Sequence, residues 1–169
     1  MIVALLAGAG VGLYWFQPWK LFTTSTVHDA LSTPAPTMSA AASPTAPAGP
    51  VLLAQGAFVT QEHQTTGTAR IVGNPDGSRR LELVNLATSD GPDLRVWLTG
   101  QKVVGGLAGA YVFDDGAYLD LDRLKGNRGD QVYEIPATVD LSQYRSVSIW
   151  CRRFSVSFGA APLDPITSA

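Results

Sequence analysis

From Gln55 onward the chain holds no 3.6-residue hydrophobic period beyond about one helical turn, so helices cannot supply the core of its fold. Leu94, Val96 and Leu98 instead alternate with Arg95, Trp97 and Thr99, the period of two that gives a strand one core-facing side. Residues 67–72 and 79–86 flank Asn74-Pro75-Asp76-Gly77, where proline presets φ and glycine supplies positive φ, and this predicts a hairpin. Further strands are predicted at residues 57–60, 110–113, 117–121, 131–135, 146–151 and 154–159. Asp140 followed by Gln143 predicts a capped helical turn over 141–144. Short strands separated by Gly, Pro and Asp turns define an all-β domain over 55–163, an antiparallel β-sandwich or alternatively a partly closed barrel, with 164–169 as a tail.

The first 54 residues follow other rules. Residues 1–16 are almost wholly apolar, and Tyr14, Trp15, Phe16 and Trp19 are the aromatics that settle at a headgroup boundary. Residues 1–22 are therefore expected to be an uncleaved transmembrane anchor, although the run is short for a span and a signal peptide is the competing interpretation. Gly8 and Gly12 have the spacing that lets membrane helices approach closely, and an ordinary Ala/Gly-rich anchor explains them as well. Residues 23–54 are expected to be a flexible linker. Between Ser32 and Pro50 stand five Pro, six Ala, three Ser and three Thr with no charge, a composition that cannot bury enough apolar area to order itself. An anchor followed by an uncharged stalk predicts a single-pass protein at the cell membrane with its C-terminal domain outside the cytoplasm. His28, on that stalk, is given no role.

Composition removes most familiar chemistries. A net charge of −2 leaves no broad positive field, so nucleic-acid binding is not expected. One cysteine permits no intrachain disulfide or paired-thiol zinc site, and two histidines cannot build a three-histidine metal site. No metal is expected. Asp114, Asp115, Asp120 and Asp122 lack the order of a calcium loop, and the glycines at 105, 106 and 109 lack the setting of a phosphate loop. No nucleophile and base pair up, so no enzyme class is assigned.

What remains is Cys151. Val147, Ile149 and Cys151 share one strand face, whereas Phe154, Val156 and Phe158 are one residue out of step, so a β-bulge near Arg152-Arg153 is expected to bring both sets inward. Burial would make Cys151 a small hydrophobe; neighbouring Arg152 and Arg153 would instead favour its thiolate. His63, between Glu62 and Gln64, could ligate a metal or haem iron, move a proton, or simply hydrogen-bond in its loop. Trp150 stands beside the thiol.

Five blocks in order carry a resemblance. They are Gly56-Ala-Phe58; His63 with Gly67-Thr-Ala69; Gly91 to Leu98; Leu124 to Pro136; and Val139 to Tyr144 with Ile149 to Gly159. Over about residues 55–163 the chain resembles the DM-thirteen domain, also called the electron-transfer DM domain. The resemblance implies a β-rich domain of secreted or membrane-attached proteins whose single cysteine, here Cys151, is a redox centre working with a redox partner protein. It pairs His63 with that cysteine. His63 and Trp150 stand as cofactor-binding candidates, with the cofactor unassigned and haem the one considered. The alternatives are a ligand- or haem-binding module and an envelope-interaction sandwich with a structural core cysteine.

Overall fold

The computed structural model describes residues 10–34 and 49–166. Eleven strands form two sheets: β1 (Thr26–His28), β2 (Val51–Ala57), β3 (Val59–Thr60), β4 (Thr66–Gly73), β5 (Arg79–Ala87), β6 (Leu94–Thr99), β7 (Tyr118–Arg123), β8 (Arg128–Ile135), β9 (Ser146–Cys151), β10 (Val156–Pro162) and β11 (Asp164–Pro165). The first sheet runs β1-β8-β5-β4-β2-β11 and the second β3-β10-β9-β6-β7. Every pairing is antiparallel except β1 with β8. The sheets pack face to face as a sandwich, and neither closes into a barrel.

The alternation does what its period requires. Leu94, Val96 and Leu98 point into the core with Val147, Ile149 and Cys151 of the same sheet, opposite Ile71, Leu81, Leu83 and Tyr133 of the other. The hairpin between β4 and β5 turns at the expected tetrapeptide: Gly77 has φ +83°, its N–H donates to the Asn74 carbonyl at 3.0 Å, and Asp76 Oδ1 accepts from the Ser78 N–H at 2.9 Å. Asp140 Oδ1 accepts from the Ser142 N–H and caps one 3₁₀ turn, Leu141–Gln143.

Two local expectations need correcting. Residues 110–113 form no strand; they belong to the loop between β6 and β7, where Phe113 plugs a second small core on the outer face of β9 and β6. The parity change between β9 and β10 comes from a hairpin turn across residues 152–155, with Ser155 at φ +49°, and not from a bulge at Arg152-Arg153. The bulge sits further along, between Ser157 and Gly159, and Phe154 is left exposed on the turn.

At the N-terminal end residues 1–9, including Gly8 of the glycine pair, lie outside the described residues. Residues 10–16 are helical, and the helix stops at Gln17, which has φ +44° and precedes a proline, a pairing that leaves the helical region. Among the described residues no helix is long and apolar enough to cross a membrane. Residues 35–48, the centre of the expected linker, also lie outside the described residues.

The first part of that linker packs where composition predicted none. Thr26–His28 pairs along β8, Asp29 Oδ2 accepts from Lys125 Nζ at 2.6 Å, and Ser32 is buried on the outer face of β5. There the fully buried Glu82 carboxylate accepts from the Ser32 N–H at 2.8 Å and its hydroxyl at 2.6 Å. Arg70 and Arg80 complete the cluster at 2.7 and 3.0 Å. Hydrophobicity plays little part in this strap. A buried carboxylate needs donors on every side, and the backbone of an uncharged segment can supply them.

Candidate functional site

β9 lies between β6 and β10, so Cys151 is central in its sheet, opposite Leu94 on one side and Val156 on the other. Its side chain is fully buried in the main core. Burial pushes the thiol above its usual value, and the Asp93 charge adds to this; the backbone amides of Phe154, Arg153 and Asp93 offset part of it. Neither neighbouring guanidinium hydrogen-bonds the thiol. Arg152 is exposed, and Arg153 donates to the carbonyls of Trp15 at 2.7 Å and Tyr14 at 3.2 Å, closing the end of the 10–16 helix. Burial outweighs any thiolate tuning by them and favours the protonated thiol, and the Arg153 guanidinium is bound to the helix carbonyls.

His63 occupies a different compartment. Its ring lies 3.9 Å from the Phe158 ring, tilted by 37°, and its backbone N–H donates to the Phe158 carbonyl. No hydrogen bond joins His63 to Cys151; Phe158, a member of the same core as the thiol, stands in contact with the imidazole instead. His63 lines a cleft of about 430 Å³ with Phe16, Tyr111, Phe154 and Phe158, flanked by Lys20 and Asp90. Burial pulls its pKa down, with the Glu62 charge opposing, so the imidazole is neutral. A neutral imidazole in an aromatic cleft offers one nitrogen to an iron or other metal. Among the described residues no three metal-ligating side chains cluster.

Trp150 points the opposite way from Cys151, as adjacent residues on a strand must. It belongs to the small outer core with Trp97, Phe113 and Ala160. Its ring stacks on Trp97 at 5.0 Å and 22°, and Trp97 stacks on Tyr118 at 4.1 Å and 10°. The three candidates read from sequence thus stand in the inner core, in a side cleft and on the outer face. Trp97 and Tyr118 were not singled out from sequence, although Trp97 alternates with the core leucines and so had to face outward; its partner on β7 carried no comparable signal.

The family model described as Electron transfer DM13 matches residues 57–163. The chain belongs to the electron transfer DM13 family. The DM13 match begins at the last residue of β2 and runs past the end of β10, so it contains Cys151, His63, Trp97, Tyr118 and Trp150. β1 and the Ser32 strap lie before the DM13 region. No curated protein and no solved structure matches the chain.

Proposed function

We propose that this chain is a membrane-attached electron-transfer domain facing outside the cytoplasm, with Cys151 as its redox group and a redox partner protein as its donor or acceptor. The observation that carries the electron-transfer part is the family match over residues 57–163, which contains β3 to β10. Membrane attachment draws support from Val11, Leu13, Tyr14, Trp15, Phe16 and Trp19, all large, apolar and exposed at the start of the chain. Because Cys151 is sealed and protonated, its part is not that of an exposed nucleophile in contact with the partner.

Voltammetry of the full chain in detergent, with and without Cys151→Ala, tests the thiol. Loss of the redox response in the variant is expected; an unchanged response removes Cys151 from the mechanism. Protease added to intact cells is expected to release the domain, and release only after lysis overturns the topology.

The His63 cleft favours a second reading, a haem- or ligand-binding module. His63 would supply an iron-ligating nitrogen, and Phe16, Tyr111, Phe154 and Phe158 would hold the ring; Trp150, on the far face of the sheet, would take no part. An iron-porphyrin absorption band on the haem-incubated chain that disappears in His63→Ala supports this reading, and no band in either protein rejects it.

A further inference from the structure

The stack of Tyr118, Trp97 and Trp150 crosses three adjacent strands, β7, β6 and β9, and leads from solvent into the small core on the outer face of that sheet. Relative exposure falls from 48% at Tyr118 to 5% at Trp97 and 1% at Trp150. These are the side-chain types that surrender a single electron most readily after the thiolate, and their rings are in contact and nearly parallel. Packing alone explains a buried tryptophan pair. It does not explain two buried polar atoms left without partners on facing residues of the stack: Trp97 Nε1–H and Asp120 Oδ1.

Those two atoms suit a transient positive charge. An oxidised indole normally loses its N–H proton and becomes trapped as a neutral radical. Trp97 Nε1–H has no acceptor, so a hole there keeps its proton and moves on. The Asp120 carboxylate lies on the residue opposite Trp97 in β7, and its Oδ2 pairs with Arg95 Nη1 at 3.6 Å, so it screens the Arg95 cation from a hole on Trp97 while the hole passes. Tyr118 is half-exposed, so its phenol can release its proton to water. The gradient therefore runs outward.

We propose that Tyr118, Trp97 and Trp150 form a one-electron relay along the outer face of the second sheet, between buried Trp150 and a redox partner docked at Tyr118. A radical oxidant of the peroxyl class, reduced by one electron to its anion, leaves Trp150 as a radical cation, which takes an electron from Trp97 as the hole moves outward. The resulting Trp97 radical cation takes one from Tyr118, whose proton passes to water. The neutral Tyr118 radical then regains an electron and a proton from a one-electron donor at the surface, which leaves all three side chains unchanged. The proposal rests on the electron-transfer reading of the chain but not on Cys151.

Flash photolysis tests it. The full chain in detergent micelles, carrying Trp15→Phe and Trp19→Phe so that only the two relay tryptophans remain, is excited with cobalt(III) hexaammine as the electron acceptor. Cobalt is reduced irreversibly to cobalt(II), and ascorbate is the final donor. The tryptophan radical absorption is expected to decay in a first-order, concentration-independent step as the tyrosyl absorption grows. Tyr118→Phe, which keeps the ring and the stack, should abolish the tyrosyl signal and prolong the tryptophan radical. Tyr111→Phe, an equally exposed tyrosine outside the stack, should change neither. Trp97→Phe should slow the transfer in protein whose circular dichroism is unchanged. A tyrosyl yield unaffected by Tyr118→Phe, or abolished by Tyr111→Phe, overturns the relay. Cys151→Ala separates the two claims: radical transfer that survives it while voltammetry is lost leaves both standing, and voltammetry that survives it removes the thiol but not the relay.

Discussion

Replacing Glu82 by leucine removes the anchor of the N-terminal strap while roughly conserving volume. The carboxylate is fully buried and receives Ser32 N–H at 2.8 Å, Ser32 Oγ at 2.6 Å, Arg70 at 2.7 Å and Arg80 at 3.0 Å. Removing one partner of a buried ionic cluster costs about 3–5 kcal/mol, since the remaining charges stay behind. Here the arginine side chains keep 19% and 24% of their exposure and can rehydrate, which moves the expectation to about 3 kcal/mol. For a chain of this length that is a fall in Tm of roughly 10 °C by circular dichroism. Acid supplies an independent check. Burial pushes the Glu82 carboxyl up, but the Ser32 and Arg70 hydrogen bonds and the Arg70 charge outweigh it, so its pKa lies below the ordinary 4.5. A depressed carboxyl stabilises the fold fully above 4.5 and loses that contribution as pH falls through the folded value, so the gap between wild type and Glu82→Leu should close in acid. A leucine variant as stable as wild type at neutral pH would refute the argument and place the strap's stability elsewhere.

Cys151 in the native chain should react with a thiol reagent at least about 1,000-fold more slowly than in the unfolded chain, because access requires an opening that costs about 5 kcal/mol or more; labelling at the unfolded rate contradicts the assigned burial. Cys151→Ala should fold and lose about 1–2 kcal/mol in urea unfolding, the cost of a small core cavity. Gly129 has φ +96°, and a Cβ there would collide with the Val27 carbonyl, so Gly129→Ala should detach β1, seen as faster proteolysis before residue 34. Because burial lowers the His63 pKa, the unfolded chain takes up a proton near 6.5 that the folded chain refuses; stability should fall below that pH, and His63→Asn should remove the slope.

The sandwich was legible because its signals are local. The Leu94–Val96–Leu98 alternation and the Asn74–Gly77 turn each specify geometry within a few residues, and both hold. The Cys151 surroundings were legible only in part. Inward orientation follows from parity, but the destination of the Arg153 guanidinium depends on the helix at 10–16, over a hundred residues away in sequence. The same limit hid Phe113, whose short apolar run resembles a strand until the outer face of β9 is there to receive it. Ser32 is the sharpest case. Nothing in a Pro/Ala/Ser/Thr segment says that one serine will meet a buried glutamate from β5, since that meeting is made by the glutamate's need for donors.

The strap also sets the order in which a pull would be felt. Tension arriving from the N-terminal side meets the Arg153 bonds to Tyr14 and Trp15, then the Lys20–Asp90 pair, the short β1 seam along β8, the Asp29–Lys125 bridge and the Ser32 bonds. Only when these have parted does the load reach β2 and the layered strands around Cys151 and the aromatic stack. The strap thus works as a mechanical fuse: the attachment can yield and lengthen under drag while the electron-transfer sandwich keeps its shape.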